Sequence, residues 1–212
     1  LGDVYKRQDG NTGSSISQSS SQMDHFNWGV CGANALTTSS SVCAKNVSQD
    51  ISGKMFTDEA CTAETSDFAA ALYGDIAYWA TQGTWRLPTQ AELQKLYNEA
   101  SYQYGYYTTE DGKNVYGYLF TPPMKSGRVE NTSARQITDE ELVGGLFLPA
   151  TGYRIYPGST ISKSGEVGYY WTSQYRSAGD NDYAYYLELQ PTQIRWAGNA
   201  SYYGRSVRPV KN

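Results

Sequence analysis

Histidine and cysteine are scarce in this 212-residue chain, and their scarcity removes much of the usual enzyme chemistry. His25 is the single histidine, so neither a histidine-based catalytic triad nor a two-histidine metal site can be built. The three cysteines, Cys31, Cys43 and Cys61, all lie in the N-terminal third. Their spacing leaves two alternatives open: one disulfide, such as Cys31 to Cys43, with a free thiol, or three reduced thiols.

Long apolar runs and clusters of basic residues are missing as well. No stretch approaches the roughly 18 apolar residues that span a bilayer, so no membrane span is expected. The net charge is −4 and no basic stripe is visible, which argues against nucleic acid as a partner. Nucleophile-elbow, phosphate-loop and dinucleotide-binding motifs do not occur either. These absences argue against an enzyme, and no cofactor or metal ion is predicted.

The N-terminal residues are not expected to belong to the folded domain. Residues 3–8 read DVYKRQ, which resembles a translated sequencing adapter, so residues 1–8 are interpreted as an artefact. Residues 9–22 contain Gly, Ser, Asn and Gln with almost nothing apolar, which predicts a flexible leader. Residues 23–212 are predicted to form a single domain with its own core. Any signal sequence is expected to have been lost by truncation.

Helical spacing and capping motifs predict two helices and one helical turn. Between residues 66 and 83 apolar side chains recur at helical spacing, with Gly74 as a possible break and Thr65 or Ser66 as the cap: Phe68, Leu72, Ile76 and Trp79. Thr89 and Glu92 form a capping box, and the helix behind it has an apolar face of Leu93, Leu96, Tyr97 and Ala100. Thr138 and Glu141 repeat the box before a single turn.

Alternating apolar residues predict the strands of the first two thirds of the chain. Phe26, Trp28 and Val30 alternate in an extended segment. Residues 103–121 are rich in Tyr and contain a Glu-Asp-Gly turn at 110–112, which predicts a hairpin. Residues 146–149 are predicted to form a short buried strand. Residues 122–136 are polar and are predicted to be a loop.

Residues 168–210 are interpreted as two strands that hold two aromatic-rich loops. In the first strand Leu187 and Leu189, with Tyr185, are expected to face inward, whereas Tyr186 and Glu188 are expected to face solvent. The second strand covers residues 206–210, with Val207 pointing inward and Pro209 at an edge or strand end. The loops at 172–183 and 190–204 combine Tyr, Trp and Arg with Ser, Gly and Asn, a mixture typical of binding surfaces.

Several ordered segments resemble one protein family. They are WRLPT at 85–89 with Glu92, GLFLPA at 145–150 with GYR at 152–154, GYYWTS at 168–173, Ala184-Tyr185 with Leu187, and SVRPV at 206–210 after Gly204. Together they are similar to the Fibrobacter-type major paralogous domain, found in bacterial surface and secreted proteins with C-type-lectin-like folds. The resemblance covers about residues 26–211. It implies an α+β fold class, with two helices packed on a twisted antiparallel sheet and a long loop-rich region.

The same resemblance implies an extracellular or cell-surface, adhesin-like module that binds a glycan or protein ligand on another cell or surface. It extends to receptor-binding proteins diversified by retroelements, in which loop residues vary on a fixed scaffold. The displayed, ligand-binding positions here are expected to be Tyr175, Arg176, Asp180, Asn181, Tyr183, Tyr186, Arg195, Trp196, Asn199, Tyr202 and Tyr203. Trp196 is expected to be exposed, and Trp85 and Trp171 to fill the core.

Two departures and three alternatives accompany this interpretation. Arg205 stands where the family more often has an aromatic residue, and Ser201 where Arg is frequent, which puts the packing of the last loop in doubt. One alternative is a structural domain of a larger envelope protein. Another is an oxygenase similar to the formylglycine-generating enzyme, disfavoured because residues 62–212 contain no cysteine. A calcium site at Asp180, Asn181 and Asp182 is disfavoured relative to a solvated acidic loop.

Overall fold

The computed structural model describes most of the chain from residue 25 onward. The described residues are 25–36, 44, 47, 49–56, 65, 67–69, 71–109, 112–157, 160–178 and 181–212. Within these residues β-sheet dominates and helices are few, so the coarse prediction of an α+β protein is confirmed. No helix in this part of the chain combines the length and apolarity needed to cross a bilayer. The predicted adapter and leader, together with Cys43 and Cys61, lie outside the described residues.

The described residues contain three α-helices and one 3-10 helix. The α-helices are α1 at Ile76–Ala80, α2 at Gln90–Glu99 and α3 at Asp139–Gly144, and the 3-10 helix is at Gly32–Leu36. The predicted second helix is confirmed with its cap, and Leu93 and Ala100 on its predicted face are buried. The predicted helical turn after Thr138 is confirmed as α3.

Thirteen strands in the described residues form five sheets. They are β1 Met55–Phe56, β2 Tyr73–Gly74, β3 Trp85–Arg86, β4 Ser101–Thr108, β5 Asn114–Thr121, β6 Glu130–Gln136, β7 Leu146–Pro149, β8 Tyr153–Arg154, β9 Ile161–Ser162, β10 Gly168–Ala178, β11 Asn181–Gln190, β12 Gln193–Ala200 and β13 Val210–Lys211. A four-stranded sheet has the order β6-β4-β5-β7, and a three-stranded sheet the order β10-β11-β12. The pairs β1-β2, β3-β13 and β8-β9 complete the set.

The four-stranded sheet contains one confirmed prediction and one correction. The Tyr-rich hairpin is β4 paired antiparallel with β5, and β7 is the predicted short strand at 146–149. The predicted loop at 122–136 is wrong in its second half, because residues 130–136 form β6, which pairs parallel with β4. Most of the side chains of β6 are exposed. Because neither face of β6 is buried, its sequence does not alternate between apolar and polar residues, and this alternation is the pattern that predicts a strand.

A correction also applies to the first predicted helix. Only its second half is helical, because Tyr73 and Gly74 pair with β1 and Asp75 caps α1. Gly74 has a φ of +135°, and a Cβ added there would lie 2.4 Å from the carbonyl oxygen of Lys54. This close backbone approach needs glycine and cannot occur inside a helix. The helical spacing of residues 68–79 is therefore misleading up to residue 75.

The three-stranded sheet is the centre of the fold, because both of its faces are covered. One face, which includes Trp171, packs on a core of the N-terminal half that contains Trp28, Val30 and Phe56. The other face packs on a core formed with α2, β4 and β5, to which Leu187 and Leu189 contribute. A third, smaller cluster lies between β5, β7 and the start of α3, and contains Val115, Leu119, Ile137 and Phe147. The predicted core position of Trp171 is confirmed, whereas Trp85 in β3 is only half-buried.

Both helices with a capping box share an additional arginine clamp. In each, an arginine six residues before the glutamate makes a two-pronged ion pair with it: Arg86 with Glu92, and Arg135 with Glu141. In each helix Oε2 of the glutamate, which accepts one of these arginine bonds, also accepts a hydrogen bond from the backbone N–H of the capping threonine. The distance is 2.8 Å for Thr89 and 3.0 Å for Thr138. The pattern Arg-x-x-Thr-x-x-Glu therefore occurs twice and fixes two helix starts in the same way.

These clamps predict a loss of stability in acid. Hydrogen bonds from Arg86 and Arg135 lower the pKa of Glu92 and of Glu141 from 4.5 to about 2. A lowered folded pKa means that the stability is present above pH 4.5 and is lost as the pH falls towards 2. Because both pairs are partly exposed, we expect about 0.5–1 kcal/mol from each. The free energy of unfolding, measured with urea across this pH range, should change less with pH in the Glu92→Gln/Glu141→Gln variant than in the parent protein. The same pH dependence in both proteins would contradict the prediction.

Candidate functional site

Most of the predicted loop residues of the C-terminal region lie in strands, and this places most of the predicted site residues on two opposite faces of one sheet. Residues 172–178 continue β10, and residues 193–200 form β12. Directly paired residues of antiparallel strands point to the same face. One face therefore carries Tyr175, Tyr186, Arg195 and Asn199, and the other carries Arg176, Tyr183 and Trp196. A single surface cannot include both groups.

The first face is largely covered near its centre. The expectation that Tyr186 and Glu188 face solvent is wrong, because their exposed fractions are 7% and 2%. Ala184 on the same face is also fully buried, and Tyr175 packs against the N-terminal core. An alternating pattern predicts one buried face, whereas this strand is covered on both. Tyr186 therefore lies beneath the surface, and Arg195 is exposed at the end of the same face.

The second face presents a small patch at the far end of the hairpin. Arg176 pairs directly with Tyr183 across the strands, and its guanidinium lies over the ring of Tyr185 at 5.6 Å. It also donates to the carbonyl oxygen of Gly198 at 3.2 Å. Trp196 on this face is half-buried against the core that contains Leu187, so its predicted exposure is only partial. Asp180 lies outside the described residues, and Asn181 is the first residue of β11.

Tyr202 and Tyr203 belong to a group of four half-buried rings, here called the tyrosine cluster: Tyr153, Tyr156, Tyr202 and Tyr203. Ring centroids lie 4.7 Å apart for Tyr156 and Tyr202, and 6.0 Å apart for Tyr153 and Tyr203. The sequence interpretation missed Tyr153 and Tyr156, although Tyr153 lies in the GYR segment of the family resemblance and Tyr156 follows that segment by two residues. Tyr153 also contacts Tyr169 at 5.1 Å, which connects the cluster to the start of β10.

Arg205 lies in a cage of aromatic rings behind this cluster. Its guanidinium carbon is 4.0 Å from the ring centroid of Tyr186 and 4.7 Å from that of Trp171. Three further rings lie between 5.3 and 5.7 Å away: Tyr153, Tyr169 and Tyr203. Burial lowers the pKa of Arg205, while the neighbouring Tyr186 acts in the opposite direction. The unusual arginine is thus accommodated by rings from four segments of the chain.

A cleft of about 600 Å³ lies next to Tyr169, where the four-stranded sheet meets the end of the β11-β12 hairpin. Its size falls in the range of small-molecule sites, roughly 300–1,000 Å³. Three tyrosine rings line it together with charged, amide and apolar groups. The lining residues are Tyr104, Tyr116, Lys163, Gly165, Glu166, Val167, Tyr169, Glu188, Gln190, Pro191 and Arg195. Of the predicted site residues, Arg195 alone is among them.

Glu188 is the most buried charged group of the cleft. Its side chain is 3% exposed, and Arg195, directly opposite on β12, donates to both of its oxygens at 3.0 Å. Gln190 donates a third hydrogen bond at 2.5 Å. The bond to Glu188 raises the pKa of Arg195, whereas burial, followed by the Glu188 charge, raises the pKa of Tyr169 to about 12. Arg195 therefore stays charged and Tyr169 stays neutral under all ordinary conditions.

The turn at residues 163–167 forms the opposite rim of the cleft. Lys163 has a φ of +61°, a left-handed backbone that costs a non-glycine residue about 1 kcal/mol. Its ammonium group pairs with Glu166 at 3.0 Å, so the rim has one cation and one carboxylate. The backbone N–H of Gly165 donates to the carbonyl oxygen of Ala150 and fixes the turn to the chain after β7. Such a strained, anchored turn is common at ligand sites.

Tyr118 supports the cleft from below. It is fully buried, and its hydroxyl donates to the carbonyl oxygen of Gln190 at 2.8 Å. The ring of Tyr118 packs 5.2 Å from that of Tyr104, which lines the cleft. Strand β5 thereby fixes the position of the β11-β12 turn. The side chains of Glu188 and Gln190 are consequently held by the framework as well as by each other.

Comparisons with known proteins give no match: no family model, no curated protein and no solved structure is similar to this chain. The family resemblance drawn from the sequence segments therefore remains a prediction. No group of three or more His, Cys, Asp or Glu side chains that could hold a metal ion occurs within the described ranges. The calcium alternative at residues 180–182 stays untested, because Asp180 lies outside those ranges.

Proposed function

We propose that this chain is a non-enzymatic ligand-binding module with a C-type-lectin-like fold, carried by a bacterial surface or secreted protein. The ordered segments between residues 26 and 211 support the family and the extracellular location. The coarse α+β architecture, with α2 packed against sheet, is compatible with that fold. The ligand is a glycan or protein on another cell or surface. The C-terminal hairpin supplies the contacts.

The observation that carries the binding role is the ion pair between buried Glu188 and exposed Arg195 in a cleft lined by three tyrosine rings. Ligand sites typically combine apolar and aromatic walls with a few fixed polar groups. Here the polar groups are held before any ligand arrives, by Tyr118 below and by Gln190 alongside. Groups that are already in place lower the entropy cost of binding. The tyrosine cluster extends this aromatic surface through Tyr169.

An array of glycans and surface proteins, probed with the purified chain, tests the proposal. Once a binder is found, Tyr116→Ala and Arg195→Ala should each raise its Kd about tenfold or more, because each removes a wall or a charged partner of the cleft. Melting curves establish that both variants are folded. Tyr183→Ala, in the patch on the opposite face, is the matched control and should change the Kd less than about twofold.

The reverse result would place the site elsewhere. If Tyr183→Ala abolished binding while Tyr116→Ala and Arg195→Ala bound normally, the far end of the hairpin would be the binding surface. If the parent chain and all three variants bound the same array members with equal Kd, the cleft would have no role in recognition.

A further inference from the structure

The charged groups of the cleft neutralise one another. Its described lining contains two cations, Lys163 and Arg195, and two carboxylates, Glu166 and Glu188. Each cation pairs with one carboxylate at 3.0 Å. An anionic ligand would have to displace a carboxylate from its cation, and a cationic ligand would have to displace a cation. A neutral ligand avoids both penalties.

The aromatic walls favour a ligand with flat apolar faces. Tyr104 and Tyr116 stack nearly parallel, with ring centroids 6.3 Å apart and an interplanar angle of 28°. Tyr169 lines the cleft as well, and it is supported by Tyr153 and Tyr186 at 5.1 and 5.7 Å. Rings held in this way offer rigid contact area at low entropy cost. The C–H faces of a pyranose ring are surfaces of the kind that pack on such rings.

The polar groups form an array suited to neighbouring hydroxyl groups. Glu188 and Gln190 lie two residues apart on β11 and share a face, and Arg195 lies opposite Glu188. Three planar groups, a carboxylate, an amide and a guanidinium, thus stand in a row linked by hydrogen bonds. One carboxylate oxygen of Glu188 accepts two of these bonds and the other accepts one. By count the carboxylate retains an acceptor position for a ligand hydroxyl.

We infer that this cleft binds an uncharged carbohydrate, through ring stacking on its tyrosines and hydrogen bonds to Glu188, Gln190 and Arg195, without a bridging metal ion. The inference rests on the proposed function and specifies the ligand class of the same site. Calcium needs six to eight oxygen ligands, and both carboxylates of the cleft are already engaged by cations. Binding should therefore be independent of calcium.

The test uses the full chain with dextran, mannan and a mixed-linkage β-glucan as neutral probes, and heparin and hyaluronan as anionic probes. Titration calorimetry is performed in excess EDTA and repeated in excess calcium. At least one neutral probe should bind, with the same Kd in both buffers. Tyr116→Ala and Gln190→Ala should each weaken binding about tenfold. Tyr183→Ala should leave the Kd within about twofold of the parent value.

Glu188→Gln serves as the isosteric variant and should also weaken binding, with its melting temperature recorded to separate unfolding from lost contacts. Binding of anionic probes alone, loss of binding in EDTA, or no binding of any neutral probe would overturn the inference. A protein ligand whose binding depends on Tyr116 and Arg195 would overturn it too, yet would leave the proposed binding function intact. Failure of both glycans and proteins to depend on the cleft would remove the function itself.

Discussion

Replacing Asp75 by Asn is expected to destabilise the fold by about 2–5 kcal/mol at neutral pH, from two orphaned donors at about 1–3 kcal/mol each. Asp75 is completely buried, and its carboxylate accepts four backbone hydrogen bonds. One oxygen accepts from Ala77 at 2.9 Å and from Tyr78 at 3.1 Å, and thereby caps α1. The other accepts from Gly53 at 2.9 Å and from Leu87 at 2.7 Å. One side chain therefore joins three segments of the N-terminal core.

The reason for the large effect is that Asn offers a single acceptor oxygen. Its amide nitrogen would face the N–H groups of either the helix start or the pair Gly53 and Leu87. Two buried donors would lose their acceptor and would confront a third donor. Urea unfolding followed by tryptophan fluorescence measures the change. Asp67→Asn is the control, because exposed Asp67 accepts from Ala69 at 3.0 Å, and we expect it to cost less than about 1 kcal/mol.

The pH dependence gives this prediction a second test. Burial raises the pKa of Asp75 from 3.8 to about 6, although the four N–H donors act in the opposite direction. A raised folded pKa means that the folded protein takes up a proton first, so the wild type gains stability as the pH falls from about 6 towards 3.8. The Asn variant cannot titrate at this position. The stability difference between the two should therefore widen over that range, and a difference that narrows would contradict the assignment.

The capping boxes show which features a sequence determines locally. Thr89 with Glu92 and Thr138 with Glu141 satisfy backbone groups within four residues, so tertiary structure was not needed to predict α2 and α3. The β4-β5 hairpin was predictable for the same reason, because its turn signal lies between its own strands. Elements whose hydrogen bonds close over short distances can be read from residue order.

The prediction of the first helix was partly wrong, because contacts with a distant segment override the helical spacing of the sequence. Residues 68–79 have helical spacing, yet Gly74 contacts the backbone of Lys54 and Tyr73 pairs with Phe56. The observed cap, Asp75, was not predicted, although it directly precedes α1 and aspartate is a favoured cap residue. Local spacing cannot reveal that a glycine approaches another strand.

The predicted exposure of side chains in the C-terminal sheet was wrong for a different reason, because both faces of the sheet are covered. An alternating strand indicates one buried face, and nothing in residues 184–189 shows that Arg205 and Trp171 cover Tyr186. Composition predicted loops at residues 172–183 and 190–204, but most of these residues lie in strands. Tyr, Trp and Arg occur on the surface of a sheet as readily as in a loop, so composition does not distinguish the two. Which side chains of β11 are exposed therefore depends on the residues that pack against the strand, and these are known only from the structure.

The cleft could be predicted only in part from the sequence. Arg195 was identified because it lies in the aromatic-rich C-terminal region, whereas Tyr104, Tyr116 and Lys163 come from segments far away in the chain. Their convergence depends on the packing of the four-stranded sheet against the β11-β12 turn, which Tyr118 fixes. Residue composition can suggest a binding surface, but it cannot show which distant strands supply the walls.

Replacing Arg205 by Ala is expected to destabilise the fold by about 3–5 kcal/mol, the range found for large buried side chains. Arg205 is 2% exposed and fills the space between five aromatic rings. Ala would leave a cavity there and would remove all five contacts between cation and ring. Because Tyr169 belongs to both the cage and the cleft, the same variant should also weaken ligand binding.

Replacing Arg205 by Met separates the filled volume from the charge. Nε and Nη1 of Arg205 have no hydrogen-bond partner, so part of the cation's desolvation cost is offset only by the rings. Met has similar length without a charge, and we expect it to restore stability to within about 1.5 kcal/mol of the parent. Urea unfolding compares the three proteins, with Arg176→Ala as the control because exposed Arg176 contacts one ring, Tyr185. If Met were as damaging as Ala, the attraction between cation and rings, not packing, would hold this part of the fold together.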